Sequence, residues 1–283
     1  MFLVIFFFLL AVLGAALTAG RNPILNPRTV RLSDKLKHPF SRPNPDLLTI
    51  EPEAYPALGL YLLGTDEFGR DVAARMLEGA WVSLSVGFVA VGISVVVGIF
   101  FGALAGYYGG RIDGIIMRFV DVMLCFPSMF LILTIIAVRP PSLWNVMFVI
   151  GITSWMGTCR FVRGEFLSLR EREYIHAATL LGASPWRIMS RHLLPNSLAP
   201  VFVSTNLGIA GAILLESSLS YLGFGVPPPH ATWGNILSDG KTYLFDAPHL
   251  TYVPGIAIFL TVLAFNLFGE GLREASNVKL RQS

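Results

Sequence analysis

Apolar residues run almost unbroken through six stretches of the chain, 2–17, 82–105, 115–137, 143–159, 198–215 and 252–268. A membrane-crossing helix needs about 20 largely apolar residues. The pattern therefore predicts an all-α, polytopic membrane protein with about six transmembrane helices. Residues 1–20 form the first span, and 21–80 an extracytoplasmic segment with an interfacial helix. Five more spans fill 81–272, and 273–283 form a cytoplasmic tail. The first stretch ends in the small residues of a signal-peptide cleavage site, but no basic region precedes it, so an uncleaved span is expected. Pro127 falls inside the third stretch and predicts a kink there.

One polar interruption differs from the rest. Residues 160–195 separate two apolar stretches, and 160–192 hold six Arg against three Glu. Helix formers run over 172–181, and Gly182 suits a left-handed C-terminal cap. Ser184 suits an N-cap with Pro185 at the first helical position. A second short helix is expected to about 194, where Pro195 breaks it. The result is a helix-turn-helix whose Ala177 and Ala178 allow close approach. Tyr174, Leu181, Trp186 and Ile188 are its apolar anchors, with Arg residues as a polar rim, a composition that fits a groove on another protein. A DNA-reading helix-turn-helix is disfavoured by the membrane tether at both ends and by the Gly–Pro turn. A membrane-surface pair without a partner stays open.

Charge sets the orientation. The short loop around Arg111 and Arg118, the 160–192 loop and the tail with Arg273, Lys279 and Arg281 are basic. The 224–250 loop has Lys241 against Asp239 and Asp246. Basic short loops face the cytoplasm, which puts both termini and the helix pair there. Composition agrees with a membrane protein: 14% charged residues, against about 25% in soluble domains, and mean hydropathy +0.63. A net charge of +3 is too small to point to nucleic acid.

Few residues within the spans carry chemistry. Gly98, Gly102 and Gly106 lie four apart, a stripe for close helix packing, either within the subunit or at an interface. Asp121 lies three residues from Arg118 and is placed to pair with it. Glu216 lies near the outer end of the fifth span. Intramembrane acids face protein or water, so Asp121 and Glu216 are candidates for a translocation path or gate, or for interhelical hydrogen bonding. Cys125 and Cys159 lack ligand spacing and are expected to be buried, inert thiols. His38, His230 and His249 are scattered. The segment starting at Gly234 has five residues between its glycines where a phosphate loop needs four. No catalytic, metal or cofactor set is expected.

The spacing of the helix pair resembles the EAA loop of ABC-importer permeases: Glu-Ala-Ala, three residues, Gly, nine residues, Ile, one residue, Leu-Pro. The matching positions are His176, Ala177, Ala178, Gly182, His192, Leu194 and Pro195, with His176 in place of Glu and His192 in place of Ile. LLGTDEFGRD (62–71), AGYYGGRID, RFVDVMLCFPS, SLREREYIHAA, SLSYLGFGVPPP, WGNILSDG and LTVLAFNLFGEGLR are similar to the C-type subunit of the dipeptide, oligopeptide and nickel importers. The resemblance runs from about Tyr61 to the C-terminus. It implies a coupling loop of Glu173, Tyr174, His176, Ala177, Ala178, Gly182, Ala183, Ser184, Pro185, His192, Leu194 and Pro195 that docks on a cytoplasmic ATPase. It further implies a second homologous permease subunit, two ATPase subunits holding ATP and Mg, and an extracytoplasmic binding protein, in a bacterial inner membrane. The cargo it implies is a dipeptide or oligopeptide, with nickel or another small solute as the alternative. A stand-alone secondary transporter would show paired intramembrane charges and an inverted repeat, and the sequence has no such repeat.

Overall fold

The computed structural model describes residues 2–18, 25–44, 56 and 59–281. Its helices are α1 (Phe2–Thr18), α2 (Val72–Tyr108), α3 (Gly110–Cys125), α4 (Ser128–Val138), α5 (Leu143–Arg170), α6 (Glu173–Leu180), α7 (Pro185–Ile188), α8 (Leu194–Tyr221), α9 (Trp233–Gly240) and α10 (His249–Arg281). Among the described residues there is no strand, only the isolated bridges Ser41–Tyr61 and Thr65–Asp71.

Among the described residues, four helical segments are long and apolar enough to cross a membrane: Val72–Tyr108, Leu143–Arg170, Pro200–Tyr221 and His249–Ala275. The α3–α4 pair adds a fifth if it is counted as one span, and α1 is apolar but shorter. Where the sequence predicts a kink at Pro127, the helix breaks and the two halves bend by 85°. The residue before a proline is pushed out of the helical region, and Phe126 is extended, at φ −84° and ψ 130°.

The chain packs into two compact units. The first comprises Met1–Gly87, Pro140–Val146 and Ile213–Ala264. Its core joins Phe7, Ala11, Ala80, Leu84, Trp233, Ile258 and Ala264. The Trp233 indole is fully buried and donates to Met76 O (3.1 Å), which meets the need of a buried N–H for a partner. Polar residues fix the loops around this core. Asp66 accepts from the backbone N–H groups of Phe68 and Arg70 (both 2.9 Å) and from the side chains of Arg70 and Arg75 (both 2.6 Å). Arg75 also donates to Asp239 at the end of α9 (3.0 Å). A buried carboxylate with four donors avoids the cost of an unpaired charge. α9 starts on a capping box between Thr232 and Asn235, and Glu78 of α2 accepts from Ala231 N just before it (3.2 Å).

The second unit comprises Phe88–Arg139, Met147–Ala212 and Phe265–Ser283. α2 and α5 lie against each other along the glycine stripe. A Cβ at Gly98, Gly102 or Gly106 would sit 2.6 Å from Thr158 Cβ, Cys159 O or Phe166 Cβ respectively. These are closer than real Cβ contacts, so only glycine permits this approach. Of the two roles open to the stripe, it serves packing within the subunit in this structure. Cys159 is buried in that contact, whereas Cys125 is exposed, contrary to the expectation of two buried thiols. Cys125 ends α3, which has a single buried residue, Val120.

Candidate functional site: a paired-helix knob

α5 runs out of its apolar stretch into the 160–195 loop, which folds as α6, a tight turn and α7. α6 ends in a Schellman cap: Gly182 N donates to Thr179 O (3.0 Å) and Ala183 N to Ala178 O (3.1 Å). Gly182 stands at φ +78°, the left-handed conformation that this cap requires. Ser184 is extended and its hydroxyl accepts from Arg187 N at 3.4 Å, with Pro185 opening α7. The backbone preferences of Gly182, Ser184 and Pro185 thus dictate a sharp reversal between two short helices.

The inward face of the pair is apolar. Ile175, Ile188, Met189 and Leu193 are buried with Val162 and Phe166 of α5 and Val201 of α8. Val95, Ile99, Ala103 and Tyr107 of α2 pack against the same cluster. Ile188 therefore belongs to the support, not to the outer anchors the sequence assigns it to. The outward face presents Tyr174 (44% exposed), Leu181 (89%) and Trp186 (72%). Leu180, not singled out by sequence reasoning, is as exposed as Leu181 at 89%. Glu173, His176, Ala177, Gly182, Ser184, Pro185 and Pro195 are exposed, and Ala178, Ala183, His192 and Leu194 half-buried.

Pro195 does not end the second helix. α7 passes through a π turn, Met189–Leu193, directly into α8. Leu194 N donates to Met189 O, one residue further back than in an α-helix. This wide turn shifts the bonding register just before the ring, which has no N–H to contribute. Asn196 Nδ2 donates to His192 O (2.6 Å), so that carbonyl is satisfied.

Two ion pairs fasten α3 to α5. Arg163 reaches Asp113 with both Nε and Nη2, the latter to Oδ2 at 2.6 Å. Arg160 pairs with Asp121, so the partner of Asp121 is not Arg118 but a residue 39 positions away. Both groups of that second pair are exposed. Glu216, in the first unit, is fully buried. Its Oε1 accepts from Ser220 Oγ (2.7 Å). Gly234 of α9 approaches the same face of α8, where a Cβ would lie 2.6 Å from Ser217 Cα. Among the described residues no group of three or more His, Cys, Asp or Glu side chains can hold a metal ion.

The family described as the binding-protein-dependent transport system inner membrane component matches residues 98–282, which include the α5–α8 knob. The chain belongs to that family. Its members are membrane permeases of ABC importers rather than enzymes. The dipeptide transport system permease protein DppC of Alkalihalophilus pseudofirmus is 44% identical over 218 residues, 77% of this chain and 72% of that protein. The glutathione transport system permease protein GsiD of Pectobacterium atrosepticum is 41% identical over 219 residues, 77% and 73% of the two chains. The oligopeptide transport system permease protein OppC of Bacillus subtilis is 37% identical, with 77% and 72% covered. These relatives carry the C-type resemblance read from the motifs. Among solved structures, an amino acid ABC transporter is 15% identical with a TM-score of 0.55, covering 72% of this chain and 95% of that one. The inward-facing methionine transporter MetNI is 17% identical, TM-score 0.51, covering 71% and 97%. At such identity the likeness is one of fold alone.

Proposed function

We propose that this permease subunit imports dipeptides or oligopeptides by ATP-driven alternating access, together with a second homologous permease subunit. An extracytoplasmic binding protein delivers the cargo. Two cytoplasmic ATPases supply the energy, with ATP and Mg held in those subunits and none by this chain. In this reading the chain crosses the inner membrane six times, α1 included, with both termini and the paired-helix knob in the cytoplasm. ATPase closure pushes on the knob, and the spans alternate between outward and inward access.

The observation that carries the reading is the knob itself. Four large apolar side chains, Tyr174, Leu180, Leu181 and Trp186, stand exposed on two short helices whose own apolar faces are already buried. An exposed apolar cluster rimmed by charge marks a protein contact. Cargo is assigned from the relatives, two of which are named for dipeptide and oligopeptide transport. Of the two acids, Asp121, on the exposed face of α3, is the one assigned to the path. Glu216, enclosed between α8 and α9, is assigned to fixing α9 in place.

The test is co-purification of the ATPases with a chain carrying Leu181→Ala and Trp186→Ala together. Loss of the ATPases with normal membrane insertion supports docking at the knob. Undiminished co-purification contradicts it.

A further inference from the structure

α3 is held by α5, with Val97 and Phe101 of α2 packed against the same cluster. Among the residues of α3, only Val120 is buried, in a cluster with Trp155, Met156 and Cys159 of α5. Phe119 stacks on Trp155 at 6.2 Å between ring centroids. The Arg163–Asp113 and Arg160–Asp121 pairs lie on either side of these contacts, the first towards the start of α3 and the second towards its end. Arg163 is itself fixed. Its backbone packs against the glycine stripe of α2, where a Cβ at Gly106 would stand 2.9 Å from Arg163 O. One turn further on, α5 carries Phe166, which lies under Ile175 and Ile188 of the knob. The same rigid stretch of α5 therefore supports the knob on one side and grips α3 on another. α3 in turn leads, through the 85° bend, into α4.

We propose that the two-pronged Arg163–Asp113 pair is the strut that makes α3 follow the knob, so that it couples ATP hydrolysis to solute movement without taking part in ATPase binding. The proposal rests on the knob being the ATPase docking site. Arg163 and Asp113 are positioning residues in it. A bidentate arginine–carboxylate pair fixes orientation as well as distance, which a sliding apolar contact such as Val120 on Met156 does not. Without the fork, α5 still moves with the ATPases, but α3 lags and hydrolysis proceeds with fewer productive passages.

The experiment uses the whole importer in proteoliposomes: both permease subunits, the ATPases, and the binding protein loaded with a radiolabelled peptide. ATP hydrolysis and uptake are measured together for Asp113→Asn, Arg163→Gln and the charge swap Asp113→Arg with Arg163→Asp. Mutations along a coupling network shift coupling by about 0.5–2 kcal/mol, so the ATP consumed per peptide is expected to rise about two- to thirtyfold in each single variant. ATPase co-purification stays unchanged, and the swap recovers at least half of the coupling. Hydrolysis and uptake falling in proportion overturns the proposal. So do an unchanged ratio, loss of the ATPases from the single variants, or single variants that uncouple with no recovery in the swap. The docking reading is separated by the Leu181→Ala, Trp186→Ala chain. If that chain keeps its ATPases, the docking site is elsewhere. If it loses them while Asp113→Asn behaves as the parent, only the strut fails.

Discussion

Replacing Gly182 by valine tests whether the shape of the knob matters. The turn holds Gly182 at φ +78°, and a Cβ there would meet nothing within 4 Å. No clash contributes, so the whole effect is conformational. A left-handed residue with a side chain costs about 1–2 kcal/mol, and a β-branched one lies at the upper end. One to two kcal/mol is a factor of about 5–30 in the ratio of native to non-native turn. If docking requires this Schellman turn, ATPase co-purification and peptide uptake should both fall, by up to about 5- to 30-fold, in Gly182→Val, with insertion unchanged. Asparagine tolerates the left-handed region, so Gly182→Asn should keep most of both activities. The assay is quantitative pull-down through a tagged ATPase, followed by uptake in vesicles containing equal amounts of the permease. Equal behaviour of the valine and asparagine variants would refute the reasoning, because the two differ chiefly in their tolerance of this φ.

Gly102→Leu should destabilise the detergent-solubilised complex, since even its Cβ would lie 2.6 Å from Cys159 O and 2.8 Å from Val162 Cβ; overpacking of this kind costs about 1–3 kcal/mol, seen as a lower midpoint in a thermal melt. Asp34 gives a pH signature. Burial raises its pKa, but hydrogen bonds from Lys37, Asn44 N and Tyr61, with the Lys37 charge, outweigh burial and leave the carboxyl below its usual value. Tyr61, pushed up to about 12 chiefly by burial, stays protonated and donates to it at 2.9 Å. A depressed folded pKa means stability that is present above the unfolded value of about 3.9 and lost as pH falls through the folded one. Asp34→Asn should therefore lower the melting temperature at pH 7, and the gap should close as the pH falls below about 4. The purified chain alone should hydrolyse no ATP, as a phosphate-release assay will detect; hydrolysis that persists after rigorous removal of the ATPases would contradict the permease assignment.

Elements governed by local rules were legible in the sequence. Gly182, Ser184 and Pro185 each carry a backbone preference strong enough to define the turn without tertiary context, and the apolar stretches of α2, α5, α8 and α10 exceed what a soluble helix displays. What local rules do not govern was missed. Pro195 has a breaker's chemistry, yet the π turn before it lets the chain continue into α8. Ile188 and Trp186 are both apolar and two residues apart, and only the position of α5 decides that one is support and the other surface. Asp121 had a charge of the right sign three residues away, but its partner comes from another helix. The Arg163–Asp113 pair spans 50 residues and left no sequence signal beyond two opposite charges. Gly98, Gly102 and Gly106 announced a close approach but not its partner, because a small-residue stripe is symmetric between neighbours.

The central claim is that the knob faces the compartment of the ATPases. In a version with Cys125 and Cys159 replaced, a single cysteine at Ser184 marks the turn of the knob. A second version carries its cysteine at Phe245, which is 96% exposed in the loop before α10. Each is treated with a membrane-impermeant thiol reagent in intact cells, or spheroplasts where there is an outer membrane, and in inside-out vesicles from which the ATPases have been stripped to prevent occlusion. The account predicts that Ser184→Cys reacts only in the vesicles and Phe245→Cys only from outside. Labelling of Ser184→Cys from outside, with Phe245→Cys protected there, would invert the topology, remove the knob from any cytoplasmic ATPase and contradict the importer mechanism proposed for this chain.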